Sequence, residues 1–460
     1  MKIQFAAAEF APLVRVGGLA EACAGLVHAL RHQGMDVEVV VPDYFGTPLD
    51  RETTTRLDVP SWAAPAVARS GVSPDVGKIT LIDVPGITRD HPYTDANGRG
   101  WPNNPDRFFA FSAAVSALAA QRSPDVLHCN DWHTAAALGF LTESVPSVLT
   151  IHSLGYQGWT SGGWLERIPR HRELFEAQGG TNPMAGGIQL ADRVVAVSPT
   201  YADEIRRVET GSGLHEPLVA LRDRLMGIRN GINTSVWDPS TDVNIVKPFD
   251  AKNLGGKLIC RSDLLEVVGW QDTGAPIVGV VSRLVEQKGI EMILDCVRYA
   301  DTMPFRLIIL GSGERQISDH ARDLSVSAPD TVFFRDGFDD VLAHKIFAGA
   351  DLLAMPSVFE PCGLSQMQAM EYGTIPIVNA VGGLRDTVID ADFDPSSGTG
   401  FVSESVDTAG FLDALHRAAR AWNKLDRRRV IQRNGMSTDW SWQNPALRHI
   451  EVYEGIIGIT

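Results

Sequence analysis

Residues 1–41 read MKIQFAAAEFAPLVRVGGLAEACAGLVHALRHQGMDVEVVV. The run Ile3–Ala7 is short and apolar, which predicts a buried strand. It leads to the glycine pair Gly17-Gly18, where the pattern changes. From Gly18 to Gly34 the apolar positions recur at helical spacing, and the segment stops on a glycine. Val37–Val41 is then a second strand. Strand, glycine turn, helix and strand make a βαβ unit, whose strands lie parallel.

The same alternation continues outward from this unit. Strand candidates in the first half are Lys78–Val84, Val126–Cys129, Ser147–His152 and Arg193–Val197. In the second half they are Ile277–Val281, Arg306–Leu310, Thr331–Arg335, Leu352–Pro356 and Ile375–Asn379. Two such series predict an α/β chain of two doubly wound, Rossmann-like domains. Between them WDPSTDVNIVKPFDAKNLGG (Trp237–Gly256) carries prolines, aspartates and a glycine pair, which places the boundary near Ile245. The domains expected are 1–245 and 246–442. Ligands of open parallel sheets bind beyond the carboxyl ends of the strands, so the cleft between the domains is the expected active site.

Composition narrows the function. The chain has 460 residues, and 41 Lys+Arg against 56 Asp+Glu give a net charge of −15. Such a charge repels a phosphate backbone, so nucleic acid is not an expected partner, and any anion site must gather its cations locally. Apolar residues at 44% and charged residues at 21% exclude a mostly disordered chain. Cys23, Cys129, Cys260, Cys296 and Cys362 contain no C-x-x-C pair, which predicts free thiols in a reducing compartment. At the N-terminus Glu9 interrupts the apolar run, unlike a signal peptide. Phe108–Ala120 falls short of the roughly 20 apolar residues that a membrane helix needs. A cytoplasmic protein with no membrane partner is expected, in which the sequon at Asn233 has no glycosylation meaning.

Several residues could carry chemistry. The turns at Gly17-Gly18 and at Val381-Gly382-Gly383-Leu384 follow strands and open helices, where amides and the helix dipole favour a phosphate. Gly311-Ser312-Gly313 is a weaker case, and none fits the Walker pattern G-x-x-x-x-G-K-[ST]. Arg283 and Lys288 follow the strand Ile277–Val281, an arginine fork and a mobile point charge suited to phosphate oxygens. In HCNDWH the histidines His128 and His133 lack metal-ligand spacing, and His152 ends the next strand. Asp390-Ala391-Asp392 has the D-x-D form of some metal-dependent glycosyltransferases, but its surroundings have the composition of a solvated turn. Glu360 and Cys362 precede a helix start, where a lone glutamate is also an ordinary cap.

Taken in order, these segments resemble a known family. EFAPLVRVGGL, HPYTDANGRGWPNNPDRF, NDWHTA, TIHSLGYQG, ADRVVAVSPTYADEI, GIRNGINTSVWDPSTD, GVVSRLVEQKG, FEPCGLSQMQAMEYGTIPIV and VGGLRDTV follow the sequence of blocks in bacterial glycogen synthases and plant starch synthases. The resemblance runs from Met1 to about Trp442. It implies a GT-B fold, a nucleotide-sugar donor in the inter-domain cleft, retention at the transferred anomeric carbon, and no metal or other cofactor. A last helix, near Pro445–Ile457 within 443–460, would cross back to the first domain.

Carried over by position, the resemblance puts Arg283 and Lys288 on the donor diphosphate. Gly17 and Gly18 would approach it from the first domain, and the amides of Gly382, Gly383 and Leu384 from their helix start. Arg15, Cys362, Gly363, Leu364 and Val381 would complete the donor pocket. Glu360, His152, Asp131, Trp132 and Asn230 would surround the transferred ring. Phe338 stands where a tyrosine often lies beside the base, and Tyr93 belongs to the acceptor side.

Departures from the family pattern fall in this pocket. Arg15 and Val16 replace the start of K-x-G-G-L, Asn130 the second histidine of H-x-H-D, and Ser153 the asparagine after Ile-His. Val358 replaces the arginine of S-R-F-E-P, and Asn379, Ala380 and Val381 replace the arginines and threonine of R-R-T-G-G. Three functions follow. The first is extension of an α-1,4-glucan or maltooligosaccharide from a nucleotide-activated glucose. The second is a repurposed pseudo-glycosyltransferase of aminocyclitol biosynthesis, joining an activated cyclitol or modified sugar to an amino-sugar or maltose-type acceptor. The third, a non-catalytic glucan-binding protein, is disfavoured by the intact Glu360, Arg283 and Lys288.

Overall fold

The computed structural model describes residues 1–95 and 98–458. Ala96 and Asn97, inside the HPYTDANGRG block, and residues 459–460 lie outside the described residues. The chain divides into two compact units, residues 1–231 with the segment from Trp442 onward, and Ile232–Ser441. The division comes earlier than Ile245. Residues 232–245 belong with the second unit, where Asp242 accepts hydrogen bonds from the buried Tyr372 and His344, each at 2.6 Å.

The first unit is built on a nine-stranded sheet. Its strands are β1 (Lys2–Ala6), β2 (Asp36–Pro42), β3 (Asp50–Leu57), β4 (Ala66–Ser73), β5 (Gly77–Asp83), β6 (Val126–Asn130), β7 (Ser147–Ile151), β8 (Arg193–Ala196) and β9 (Leu225–Gly227). Their spatial order is β9-β8-β7-β6-β1-β2-β5-β4-β3. The pairs from β9 to β5 are parallel, and β4 and β3 add an antiparallel edge. That edge escaped the sequence reading because β3, DRETTTRL, is nearly all polar and exposed, with no apolar face to betray it.

Helix Gly18–His32 connects β1 to β2 as its pattern predicts, burying Ala22, Cys23, Leu26, Val27 and Leu30. The C-terminal helix, Gln443–Ile457, enters the same core through Trp442, Ala446, Val452, Tyr453 and Ile456. Burying a large apolar side chain contributes roughly 1.5–3 kcal/mol, so this helix is an integral layer of the first unit.

The second unit holds a six-stranded parallel sheet ordered β12-β11-β10-β13-β14-β15. Its strands are β10 (Ile277–Val281), β11 (Arg306–Gly311), β12 (Val332–Asp336), β13 (Leu352–Met355), β14 (Ile375–Asn379) and β15 (Phe401–Ser403). The central strands are apolar runs buried on both faces, as a covered parallel sheet requires. Among the described residues no helix is long and apolar enough to cross a membrane. All five cysteines are buried, and none is joined in a disulfide.

Candidate active site

In both units the candidate residues follow the carboxyl ends of parallel strands, where open sheets bind ligands. After β1, the chain turns back so that Glu9, only 4% exposed, gathers three donors. Its Oε2 accepts the N–H groups of Val16 and Gly17 at 2.8 and 3.0 Å, and its Oε1 accepts the Tyr93 hydroxyl at 2.7 Å. Glu9 thus shapes the glycine turn and fastens Tyr93 to it. The sequence showed Glu9 only as an interruption of an apolar run, which was the available signal. Open space surrounds Gly17 and Gly18 on the side where a Cβ would stand. Arg15 forms an ion pair with Glu21 at 3.0 Å.

Beyond β6, Asp131 has φ 54° and ψ −175°, a conformation that costs a non-glycine residue about 1–3 kcal/mol. Hydrogen bonds hold it there. Its amide donates to Thr150 O at 2.9 Å, and its carboxyl Oδ1 accepts the amides of His152 at 2.7 Å and Ser153 at 3.4 Å. Burial pushes the Asp131 carboxyl up to about 7, against the lowering effect of those amides. Burial, with His449 nearby, pushes His152 down to about 3, so its ring is neutral. His152 Nε2 donates to Asn130 Oδ1 at 2.9 Å, while Asn130 Nδ2 donates to Ala6 O at 3.0 Å.

The Trp132 ring lies 4.1 Å from that of His133, tilted by 31°, and the His133 ring lies 5.1 Å from Tyr93. Asn230 is buried and shares a small cavity with His152, Asn130 and Cys23. The first unit therefore brings together Asp131, His152 and Asn230, and joins Tyr93 to Trp132 through His133 and to Gly17 through Glu9.

The second unit assembles another cluster. Lys288 Nζ lies 2.5 Å from Glu360 Oε2, which also accepts the Ser357 hydroxyl at 3.1 Å. The carbonyl of Glu360 accepts the Gly383 amide at 3.0 Å. Gln287 braces the same loop, its carbonyl accepting the Val358 amide at 2.9 Å and its Nε2 donating to Phe359 O at 3.2 Å. Gly289 has φ 60°, and a Cβ there would stand 2.0 Å from Pro356 O, so only glycine lets the Lys288 loop close against the end of β13. At Gly383 a Cβ would meet Cys362 O at 2.2 Å. Gln366 Nε2 donates to the carbonyls of Cys362 and Gly363, each at 3.0 Å, fixing the approach to Leu364. Val381 precedes the helix Gly382–Thr387, in which Leu384 is buried.

Arg283 is exposed at the end of β10, and Phe338 is 77% exposed beyond β12. Neither is drawn into the Lys288–Glu360 cluster. Asn379 is fully buried, donating from Nδ2 to Ser357 O at 3.1 Å, and its Oδ1 has no hydrogen-bond partner. Sequence reasoning did not find Ser357, Gln287 or Gln366, since each acts only on a backbone or a carboxylate placed by the fold.

The D-x-D aspartates are committed elsewhere. Asp390 Oδ2 accepts the Val402 amide at 2.7 Å and Arg417 Nη1 at 2.9 Å. Asp392 pairs with Arg417 at 3.0 Å and with Arg427. Among the described residues no group of three or more His, Cys, Asp or Glu side chains could hold a metal ion.

Comparison with known proteins agrees along the whole chain. Residues 2–220 match the family described as starch synthase catalytic domain, and residues 268–435 match glycosyl transferases group 1. The glycogen synthases of Dechloromonas aromatica and Halorhodospira halophila are each 36% identical over 99% of this chain and 99% of their own. This chain belongs to the glycogen and starch synthase family. The catalytic domain of starch synthase IV from Arabidopsis thaliana, bound to ADP and acarbose, matches with a TM-score of 0.87 and 32% identity, covering 99% of both chains. A sucrose-phosphate synthase from Thermosynechococcus elongatus shares the fold at a TM-score of 0.63 and 19% identity. The chain is accordingly a glycosyltransferase of GT-B fold, with two Rossmann-like domains.

Proposed function

We propose that this glycosyltransferase moves a glucosyl unit from a nucleoside-diphosphate glucose to an α-1,4-glucan or maltooligosaccharide, with retention and without a metal. The observation that carries the reading is the Lys288–Glu360–Gly383 cluster at the ends of β10, β13 and β14, in a chain that matches glycogen synthases from end to end. As the bond to the donor breaks, negative charge grows on the diphosphate. Arg283 and Lys288 stabilise it, with Gly17, Gly18, Arg15, Val381 and the helix start at Gly382, Gly383 and Leu384 completing the diphosphate pocket. The amides of Gly383 and Leu384 are already donated to Glu360 O and Val381 O, each at 3.0 Å, so that helix start acts through its dipole rather than through those two N–H groups. Cys362, Gly363 and Leu364 line the sugar side, and Phe338 lies beside the base.

Positive charge grows on the ring, where Glu360, the Asp131 carboxylate and the backbone at His152 offset it. Trp132 and Asn230 orient the ring, and Tyr93 serves the acceptor. No metal is assigned, because the D-x-D carboxylates already pair with Arg417 and Arg427. Buried cysteines with no disulfide suit a cytoplasmic setting.

The test is incorporation of labelled glucose from ADP-glucose or UDP-glucose into glycogen, by EDTA-treated enzyme. Steady incorporation is expected. Turnover only with another nucleotide-linked ring would instead assign the repurposed reaction, and activity that returns only with added magnesium or manganese would overturn metal independence.

A further inference from the structure

The C-terminal helix does more than fill the core of the first unit. Val452, Ile456 and Ala446 pack into the apolar core of the first unit. Yet Tyr453, fully buried beside them, spends its hydroxyl on a polar chain. Tyr453 OH lies 2.7 Å from His128 Nδ1, and His128 Nε2 lies 2.7 Å from Thr150 Oγ1. His128 is itself fully buried and Thr150 nearly so. Burial keeps the His128 ring neutral, so it donates through one nitrogen and accepts through the other, and the chain is complete with the proton on either side.

The chain ends at the strained residue. His128 lies on β6 and Thr150 on the neighbouring β7, where Asn130 and Thr150 are paired across the two strands. The Thr150 carbonyl accepts the Asp131 amide at 2.9 Å, and Asp131 Oδ1 accepts the His152 amide at 2.7 Å. The helix is thus linked to Asp131 and His152 by hydrogen bonds that meet through the covalent frames of Thr150, held at its Oγ1 and its carbonyl, and of Asp131, held at its amide and its carboxyl. One turn earlier on the helix, His449 donates from Nδ1 to Pro445 O at 2.8 Å. It borders the cavity lined by His152 and Asn230. A typical buried hydrogen bond contributes only about 1 kcal/mol net, whereas a fully satisfied buried network fixes one arrangement.

We infer that Tyr453 is a positioning residue of the transfer site, acting through His128 and Thr150 to hold the strained backbone of Asp131 and the amide of His152 in register. This rests on the proposed roles of Asp131 and His152. Those roles lie at the ring in the transition state, so loss of the chain lowers kcat more than it raises the donor KM.

The experiment compares Tyr453→Phe, Thr150→Val and Thr150→Ser in the full-length enzyme. Kinetics are measured with ADP-glucose and glycogen, and amide hydrogen exchange is followed by mass spectrometry over peptides spanning residues 129–153. Tyr453→Phe and Thr150→Val are expected to lower kcat roughly tenfold with donor KM within about twofold. Thr150→Ser, which keeps the hydroxyl, should restore it. Exchange should quicken in 129–153 while β1 and β2 stay as protected as in the wild type. Wild-type kcat with unchanged exchange in Tyr453→Phe would overturn the inference, as would a loss of protection spread evenly over the first unit. If the wild type transfers no glucose at all, the functional reading fails, and the exchange data alone still decide the positioning role.

Discussion

At the scale of single residues, the two cations of the second unit are not equivalent. Lys288 is held by Glu360 and is mostly buried, while Arg283 is exposed. Each should serve the leaving diphosphate, so Lys288→Ala and Arg283→Ala are each expected to cost about 2–4 kcal/mol in the transition state, read as a fall in kcat/KM. Stability separates them. Lys288→Ala also strips a buried carboxylate of its cation, which costs about 1–3 kcal/mol in denaturant unfolding, whereas Arg283→Ala leaves the fold near wild type. Wild-type kinetics in either variant would remove that cation from the mechanism.

Asp131 gives a pH prediction. Burial raises its carboxyl to about 7, above the roughly 3.9 of an unfolded aspartate. The folded state therefore holds the extra proton. The stability contributed by this group is complete below about pH 4 and is lost as pH rises through 7. Activity runs the other way under the proposed role of Asp131, in which the ionised carboxylate offsets ring charge, so kcat/KM should rise through pH 7. Asp131→Asn should abolish both slopes, and an unchanged pH profile in that variant would contradict the assignment. Lys288 and Arg283 were picked out in the sequence because each sits just past a strand end, and Asp131 through the resemblance of its NDWHTA block. Glu9 was visible only as a break in a pattern, because its partner Tyr93 is remote in sequence.

At the scale of elements, alternation of apolar runs and helical segments showed the parallel strands because both sheets bury those runs. The polar edge strand β3 has no such signature, and the short strands β9 and β15 are too brief to carry one. The helix Gly382–Thr387 depends on contact rather than pattern. Because Cys362 O lies 2.2 Å from where a Cβ would stand at Gly383, Gly383→Ala should weaken donor binding and destabilise the second unit by about 1–3 kcal/mol. An alanine variant with unchanged donor KM and melting temperature would show that the two segments move apart freely.

The D-x-D turn is a similar lesson. Burial pushes Asp390 up, but the Val402 amide and Arg417 overcome it and hold the carboxyl below its usual range. The stabilisation from Asp390 is therefore present above the unfolded pKa and lost as pH falls through the folded one. Asp390→Asn should lower the melting temperature at neutral pH while leaving glucosyl transfer and its indifference to EDTA intact. Loss of activity rescued by manganese would revive a metal role.

At the scale of the whole molecule, the two-domain plan could be read because linkers and strand series announce themselves in composition. The position of the division could not. The stretch Trp237–Gly256 has the composition of a linker but belongs to the second unit, where Asp242 is a buried acceptor for Tyr372 and His344. The departures Arg15, Ser153, Val358, Asn379, Ala380 and Val381 are likewise visible as letters, but their consequence depends on setting. Asn379 is turned inward to Ser357 O and offers no charge to a donor.

Whether those departures leave the family's reaction intact is decided by the product. Maltooligosaccharide is incubated with ADP-glucose or UDP-glucose and the wild-type enzyme, and the lengthened product is examined by mass spectrometry and proton NMR. The expected products are chains longer by whole glucose units, joined by new α-1,4 linkages. A β-linked product, or no elongation from either donor while another nucleotide-linked ring is turned over, would contradict the proposed transfer.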